Sequence, residues 1–111
     1  MGQHIFLDSV SAISVDTTND IGRPPGAHAG GAFLLDASTV TGVWTVSVQY
    51  IVGGSAIKVA EKTGINAAGL HVLLLETGFD GSPEAIPEVN RIFYDNTTAG
   101  SLTGTMYAFY G

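Results

Sequence analysis

Between residues 42 and 54 the chain reads GVWTVSVQYIVGG, and its apolar and polar positions alternate. Trp44, Val46, Val48, Tyr50 and Val52 share one parity, and Thr45, Ser47 and Gln49 share the other. Successive side chains of a strand point to opposite faces, so this period of two predicts a half-buried β-strand. Its second face is polar yet uncharged, and turns apolar at Ile51. Such a face can be covered by another protein chain without desolvating charge. Thr45, Ser47, Gln49 and Ile51 are therefore candidate self-association residues.

The same pattern organises the rest of the chain into about seven short strands. Residues 5–15 read as an extended segment, and 16–31 (DTTNDIGRPPGAHAGG) as one long loop rich in turn formers, where Pro24 and Pro25 exclude a ladder position. Residues 31–36 form a short apolar strand and 37–41 a turn into the Trp44 strand. Gly53 and Gly54 close a hairpin, glycine supplying the positive φ that tight hairpin turns need. The return strand, 55–61, points Ile57 and Val59 inward and Lys58 outward. After a turn at 63–69, residues 70–76 (LHVLLLE) are apolar on both parities, as in a strand covered on two sides. Residues 78–88 read as an acidic loop, 89–94 as a strand, 95–100 as a turn and 101–110 as the last strand. No window shows a sustained 3.6-residue period. The expected fold is one all-β domain over residues 1–111, a β-sandwich or barrel, with Trp44, Val46, Val48, Ile57, Val59, Val72, Leu74 and Ile92 in one core.

Composition sharpens this picture in two ways. Charged residues are only 13% of the chain and apolar residues 45%, with 15 glycines among 111 residues. A core is within reach, but the surface is neutral and rich in hydroxyl groups, which suits a chain that works assembled. The net charge of −6, with Arg23, Lys58, Lys62 and Arg91 scattered, argues against nucleic acid, whose binding rests on clustered cations. The absence of cysteine excludes disulfides and thiolate metal sites. The first ten residues lack the basic start of a secretory signal. The longest charge-free apolar stretch, 64–75, is too short to span a bilayer, so no membrane role is expected.

Catalytic chemistry leaves no mark on the sequence. His4, His28 and His71 lack the close spacing of a helical zinc site. Ser55 sits in GGSAI, which lacks the second glycine of a nucleophile elbow. The glycine-rich GAHAGG at 26–31 lacks the lysine and hydroxyl of a phosphate loop. DTTND and DGSPE do not fit a calcium loop and read as turns. Asn96-Thr97-Thr98 is a formal glycosylation sequon and reads as part of a turn. No cofactor and no enzymatic activity are expected. At the C-terminus, TMYAFYG alternates aromatics across both faces, so Tyr107 and Phe109 join the candidate self-association set. His4, Ile5, Phe6 and Leu7 form an apolar start in which at least one residue cannot face its own core. They read as an N-terminal arm that contacts a partner, with Arg23, Pro24 and Pro25 as a stiff second contact.

The succession WTVSVQY, NAAGLHVLLL, IPEVNRIFY and TTAGSLTGTMYAFYG resembles the small decoration (cement) proteins of tailed-bacteriophage capsids. The resemblance covers residues 31–111. It rests on a strand ending in Gln, an Ala-Gly turn before an apolar strand, the pattern P-x-V-x-R-x-x-Y, and a last strand alternating Thr with aromatics. Ile51-Val-Gly-Gly stands where many relatives carry S-x-D-G-x-x-W. The resemblance implies a jelly-roll-like antiparallel sandwich, commonly a homotrimer, on the outer capsid surface of the virion. It further implies a non-enzymatic role, clamping neighbouring major capsid protein subunits. Two alternatives are a tail or neck structural protein and a carbohydrate-binding sandwich using Trp44, Tyr50, Tyr107 or Tyr110 as its sugar platform.

Overall fold

The computed structural model describes residues 3–21, 32–75 and 89–110. All eight elements are strands: β1 (Gln3–Ile13), β2 (Thr17–Asp20), β3 (Ala32–Val40), β4 (Val43–Val52), β5 (Ser55–Ile65), β6 (Gly69–Leu75), β7 (Arg91–Thr98) and β8 (Leu102–Tyr110). They form one antiparallel sheet in the order β1-β8-β3-β6-β5-β4-β7-β2, curved nearly into a barrel. The all-β expectation holds, with one strand more than the pattern predicts.

The extra strand is β2, inside the stretch read as a loop. Its TTND sequence has little strand character beyond two threonines, and its conformation comes from pairing with β7, Thr17 opposite Tyr94 through Asp20 opposite Arg91. The acidic stretch 78–88 and most of the glycine- and proline-rich stretch, with Arg23, Pro24, Pro25 and His28, lie outside the described residues. Strand ends also run past their predicted limits: β3 continues to Val40, β5 to Ile65 and β7 to Thr98, so the sequon lies at a strand end rather than in a turn.

The core lies inside the curve. Trp44, Val46, Val48, Val59, Ile65, Ile92, Tyr94, Leu102 and Met106 are fully buried, with Phe33, Leu35 and Leu73 beside them. Three of the eight predicted core residues are not there. β6 is apolar on both parities, so its own pattern cannot choose a face. Its partner chooses: Leu73 lies opposite the buried Phe33, which turns Val72 and Leu74 outward, 44% and 69% exposed. Ile57 stands opposite Tyr50 close to the hairpin tip, where the core runs out, and is 41% exposed. Between Val48–Ala60 and Gln49–Lys58 the β4–β5 register slips by one residue, leaving Val59 as a bulge, so Val59 and Ala60 are both buried.

Two turns meet at one end of the barrel. A Cβ on Gly100 would lie 2.0 Å from the Thr41 carbonyl oxygen, and one on Gly42, at φ 73°, would lie 2.2 Å from that of Thr98. Only glycine lets the backbones approach so closely. Thr41 exchanges further bonds with Ser101, its N–H donating to the Ser101 carbonyl and its hydroxyl accepting from the Ser101 N–H. The Asn96 amide donates to the carbonyls of Val43 and Thr98. The hairpin glycines Gly53 and Gly54 have the expected positive φ, 56° and 84°.

Candidate functional site

Directly opposed residues of an antiparallel pair share a face, so the registers lay out the outer surface. Across β1, β8, β3 and β6 one row runs Phe6, Tyr107, Leu34, Val72. Phe6 is 60% exposed, and Leu70, at 64%, and Leu74 extend the apolar area along β6. Soluble monomers rarely leave contiguous apolar surface uncovered, and such surface marks contact with another macromolecule. The row brings together two residues predicted for different roles: Phe6, a candidate partner contact, and Tyr107, a candidate self-association residue.

The other members of the predicted arm divide. Ile5 lies opposite Ala108 and packs against the core, and Leu7 is buried as the bulge residue between Phe6 and Asp8. Backbone pairing places His4 opposite Phe109. The segment 3–13 is thus an edge strand of the chain's own sheet, with Phe6 as its exposed apolar residue.

Thr45, Ser47, Gln49 and Ile51 lie on the outer face of β4, two strands beyond β6 in the sheet order. The neutral stripe is narrow. β5 sets Glu61 beside Ser47 and Lys58 beside Gln49, and β7 sets Asp95, Phe93 and Arg91 beside Thr45, Ser47 and Gln49. Ser47 is buried within its own chain, accepting a hydrogen bond from the Gln49 amide at 3.2 Å. Alternation along β4 alone missed the flanking charges, because they arrive from strands distant in sequence.

At the end of that face a cleft of about 370 Å³ is lined by Asp20, Ile21, Ile51, Asn90 and Arg91. Asn90 builds its floor: its N–H donates to the Gln49 carbonyl, its carbonyl accepts from the Ile21 N–H, and its side-chain oxygen accepts from the Ile51 N–H, all at 2.9 Å. Arg91 Nε comes within 3.6 Å of the exposed Asp20 carboxylate, close enough for ionic attraction but too long for a hydrogen bond. That Nε is buried and unbonded.

Two carboxylate groupings lie elsewhere. Asp8, beyond the β1 bulge, accepts from the Tyr94 hydroxyl and the Asn19 amide, each at 2.8 Å. Burial, and then the hydrogen bond and charge of Asp8, push the Tyr94 hydroxyl far above its ordinary range. Asp95 is also raised, first by desolvation, then by the charge and hydrogen bond of Asp16, then by the charge of Glu61. His71 Nε2 meets the Ala67 carbonyl at 2.9 Å, as a ring N–H donor. Among the described residues no three His, Asp or Glu side chains are grouped to hold a metal ion, and no helix is long and apolar enough to cross a membrane. Trp44 is fully buried, its indole N–H bonded to the Thr41 carbonyl, so it presents no platform to a sugar. Comparison with known proteins finds no matching family model, no matching curated protein and no matching solved structure.

Proposed function

We propose that the chain is a non-enzymatic structural protein of a virion, a decoration protein on the outer surface of a tailed-phage capsid that bridges major capsid protein subunits. The observation that carries this reading is the apolar row Phe6, Tyr107, Leu34 and Val72 with Leu70 and Leu74 beside it. A sheet face of this kind is stabilised by being covered, at about 25 cal/mol per Å² of apolar surface removed from water. The strand succession, which resembles that of cement proteins, suggests the kind of assembly. On this reading the barrel is a jelly-roll-like sandwich of two leaves, β1-β8-β3-β6 and β5-β4-β7-β2. In support, β5 and β6 are joined by only two residue pairs, Ala60–Leu75 and Glu61–Leu74. Copies group as trimers on the shell, with the apolar row turned toward protein.

Electron microscopy tests the assignment. An antibody raised against the purified chain, applied to particles released by cells that carry this sequence, is expected to label the outside of heads. Label confined to tails or necks, or absent from particles, would overturn it.

A further inference from the structure

We propose that the cleft between the ends of β2, β4 and β7 binds a polypeptide carboxylate flanked by an apolar side chain, with Arg91 as the cationic partner. The proposal stands apart from the virion reading, since it concerns β2, β4 and β7 rather than the strands of the apolar row and needs no capsid.

Three features of the cleft lead to it. Its cation is incompletely satisfied among the described residues: Arg91 Nε is buried with no hydrogen-bond partner, and Asp20 at 3.6 Å attracts it without bonding. A buried donor left unmade is unfavourable, and an incoming acceptor recovers what the free protein lacks. A carboxylate is the matching acceptor, because the planar guanidinium offers parallel N–H groups to its two oxygens. The Arg91 side chain keeps 34% of its surface exposed and the Asp20 side chain beside it 86%, so a ligand carboxylate reaches the guanidinium by taking the place of the Asp20 carboxylate.

The walls supply the second half of the specificity. Ile21 and Ile51 line the cleft beside Arg91. They offer apolar surface to a side chain adjoining the acid, a preference that a free inorganic anion could not use.

The third feature is rigidity. Asn90 ties Ile21, Gln49 and Ile51 together through three hydrogen bonds of 2.9 Å, so the site exists before any ligand arrives. A preformed site loses little conformational entropy on binding. Asp20 is 86% exposed and lines the same cleft, so it acts as a built-in competitor for Arg91.

The test is an NMR titration that follows the Arg91 Nε–H and the backbone amides of Ile21, Ile51 and Asn90. The probes are N-acetyl-leucine, which carries a terminal carboxylate, and N-acetyl-glutamyl-leucinamide, which carries a side-chain carboxylate. N-acetyl-leucinamide is the uncharged control. Saturable shifts are expected at these four groups with at least one acid and not with the control, and whichever acid binds more tightly identifies the kind of carboxylate. Arg91→Gln should abolish the shifts, and Arg91→Lys should weaken binding about tenfold by losing the paired geometry. Asp20→Asn, which removes the competitor without touching Arg91, should strengthen binding about twofold to fivefold, as for loss of an exposed ion pair. Equal shifts with acid and amide, no saturable shift with either acid, or binding unchanged in a folded Arg91→Gln protein would overturn the proposal. So would weaker binding in Asp20→Asn.

Discussion

Single residues show how far local electrostatics reach in a chain with few charges. Asp95 stands opposite Thr45 on the outer face, close enough to Asp16 to share a hydrogen bond with it, and Asp16 Oδ1 accepts from the Asn96 N–H at 2.8 Å. Its carboxyl is raised above the ordinary value of 3.8. A raised acid binds its proton more readily in the folded chain than in the unfolded one. Stability therefore falls as pH rises through the window between the ordinary and the raised value, and recovers as pH is lowered through it. Asp95→Asn removes the penalty and keeps a side chain that can bond Asp16. A melting temperature about 1–3 °C higher at pH 7 is expected, modest because the site is open to solvent. The gain should fade as pH falls through the ordinary value and vanish about one unit below it, where the carboxyl is protonated in both the folded and the unfolded chain. A gain that persists undiminished at low pH would show that repulsion around Asp95 is not its source.

At the scale of elements, a seam lies between the outermost strands β1 and β2. Among the described residues no backbone ladder crosses it, and Asp8 laces it by accepting from Asn19 on β2 and Tyr94 on β7. Tyr94→Phe keeps the buried ring and removes one of these donors, an expected loss of about 1–3 kcal/mol in denaturant unfolding. Hydrogen exchange should quicken in β1 and β2 before the β4–β5 hairpin; a uniform change would mean that the bond does not hold the seam. The wild-type hydroxyl stays protonated in the fold while the unfolded chain ionises near its ordinary 10.0. Its stabilisation is thus complete below that pH and lost above it, a loss that Tyr94→Phe should lessen. How much of this architecture the sequence carries depends on whether the information is local. Alternation along β4 correctly turns Trp44, Val46 and Val48 inward, and Gly53-Gly54 correctly closes a hairpin. The side on which Val72 lies is decided by Phe33, the burial of Ala60 by a bulge, and the existence of β2 by β7, none of which neighbouring residues encode. The candidate sites follow the same rule. Tyr107 is recognisable alone as a surplus aromatic and Phe6 as one of three consecutive apolar residues, but the row they form exists only in the register, and the cleft gathers Ile21 just past β2, Ile51 on β4 and Arg91 on β7.

For the whole molecule, the outer surface differs between the two halves of the sheet order. The β1-β8-β3-β6 side carries the apolar row, whereas the other side sets Lys58, Glu61, Arg91 and Asp95 around a narrow neutral stripe. This asymmetry bears on assembly. Two copies stacking row on row would make a two-fold dimer, since a two-fold interface uses the same patch on both partners; a three-fold ring needs two different surfaces per copy. The proposed trimer therefore requires the row to meet something other than itself, a place that the proposed function gives to the capsid surface. Replacing Leu70, Val72 and Leu74 together by Thr keeps β-branched or strand-compatible side chains and removes apolar surface that is already exposed. The variant should melt within about 3 °C of the parent, as surface changes do. Its occupancy on shells should nevertheless fall about tenfold or more, because Leu70, Val72 and Leu74 supply, with Phe6, the exposed apolar surface of the proposed interface. Light scattering on the free protein separates the geometries. A trimer that survives the triple substitution agrees with a row turned toward the capsid. A parent dimer abolished by the substitution would show instead that the row pairs with itself, and full occupancy of shells by the variant would remove the row from the interface altogether.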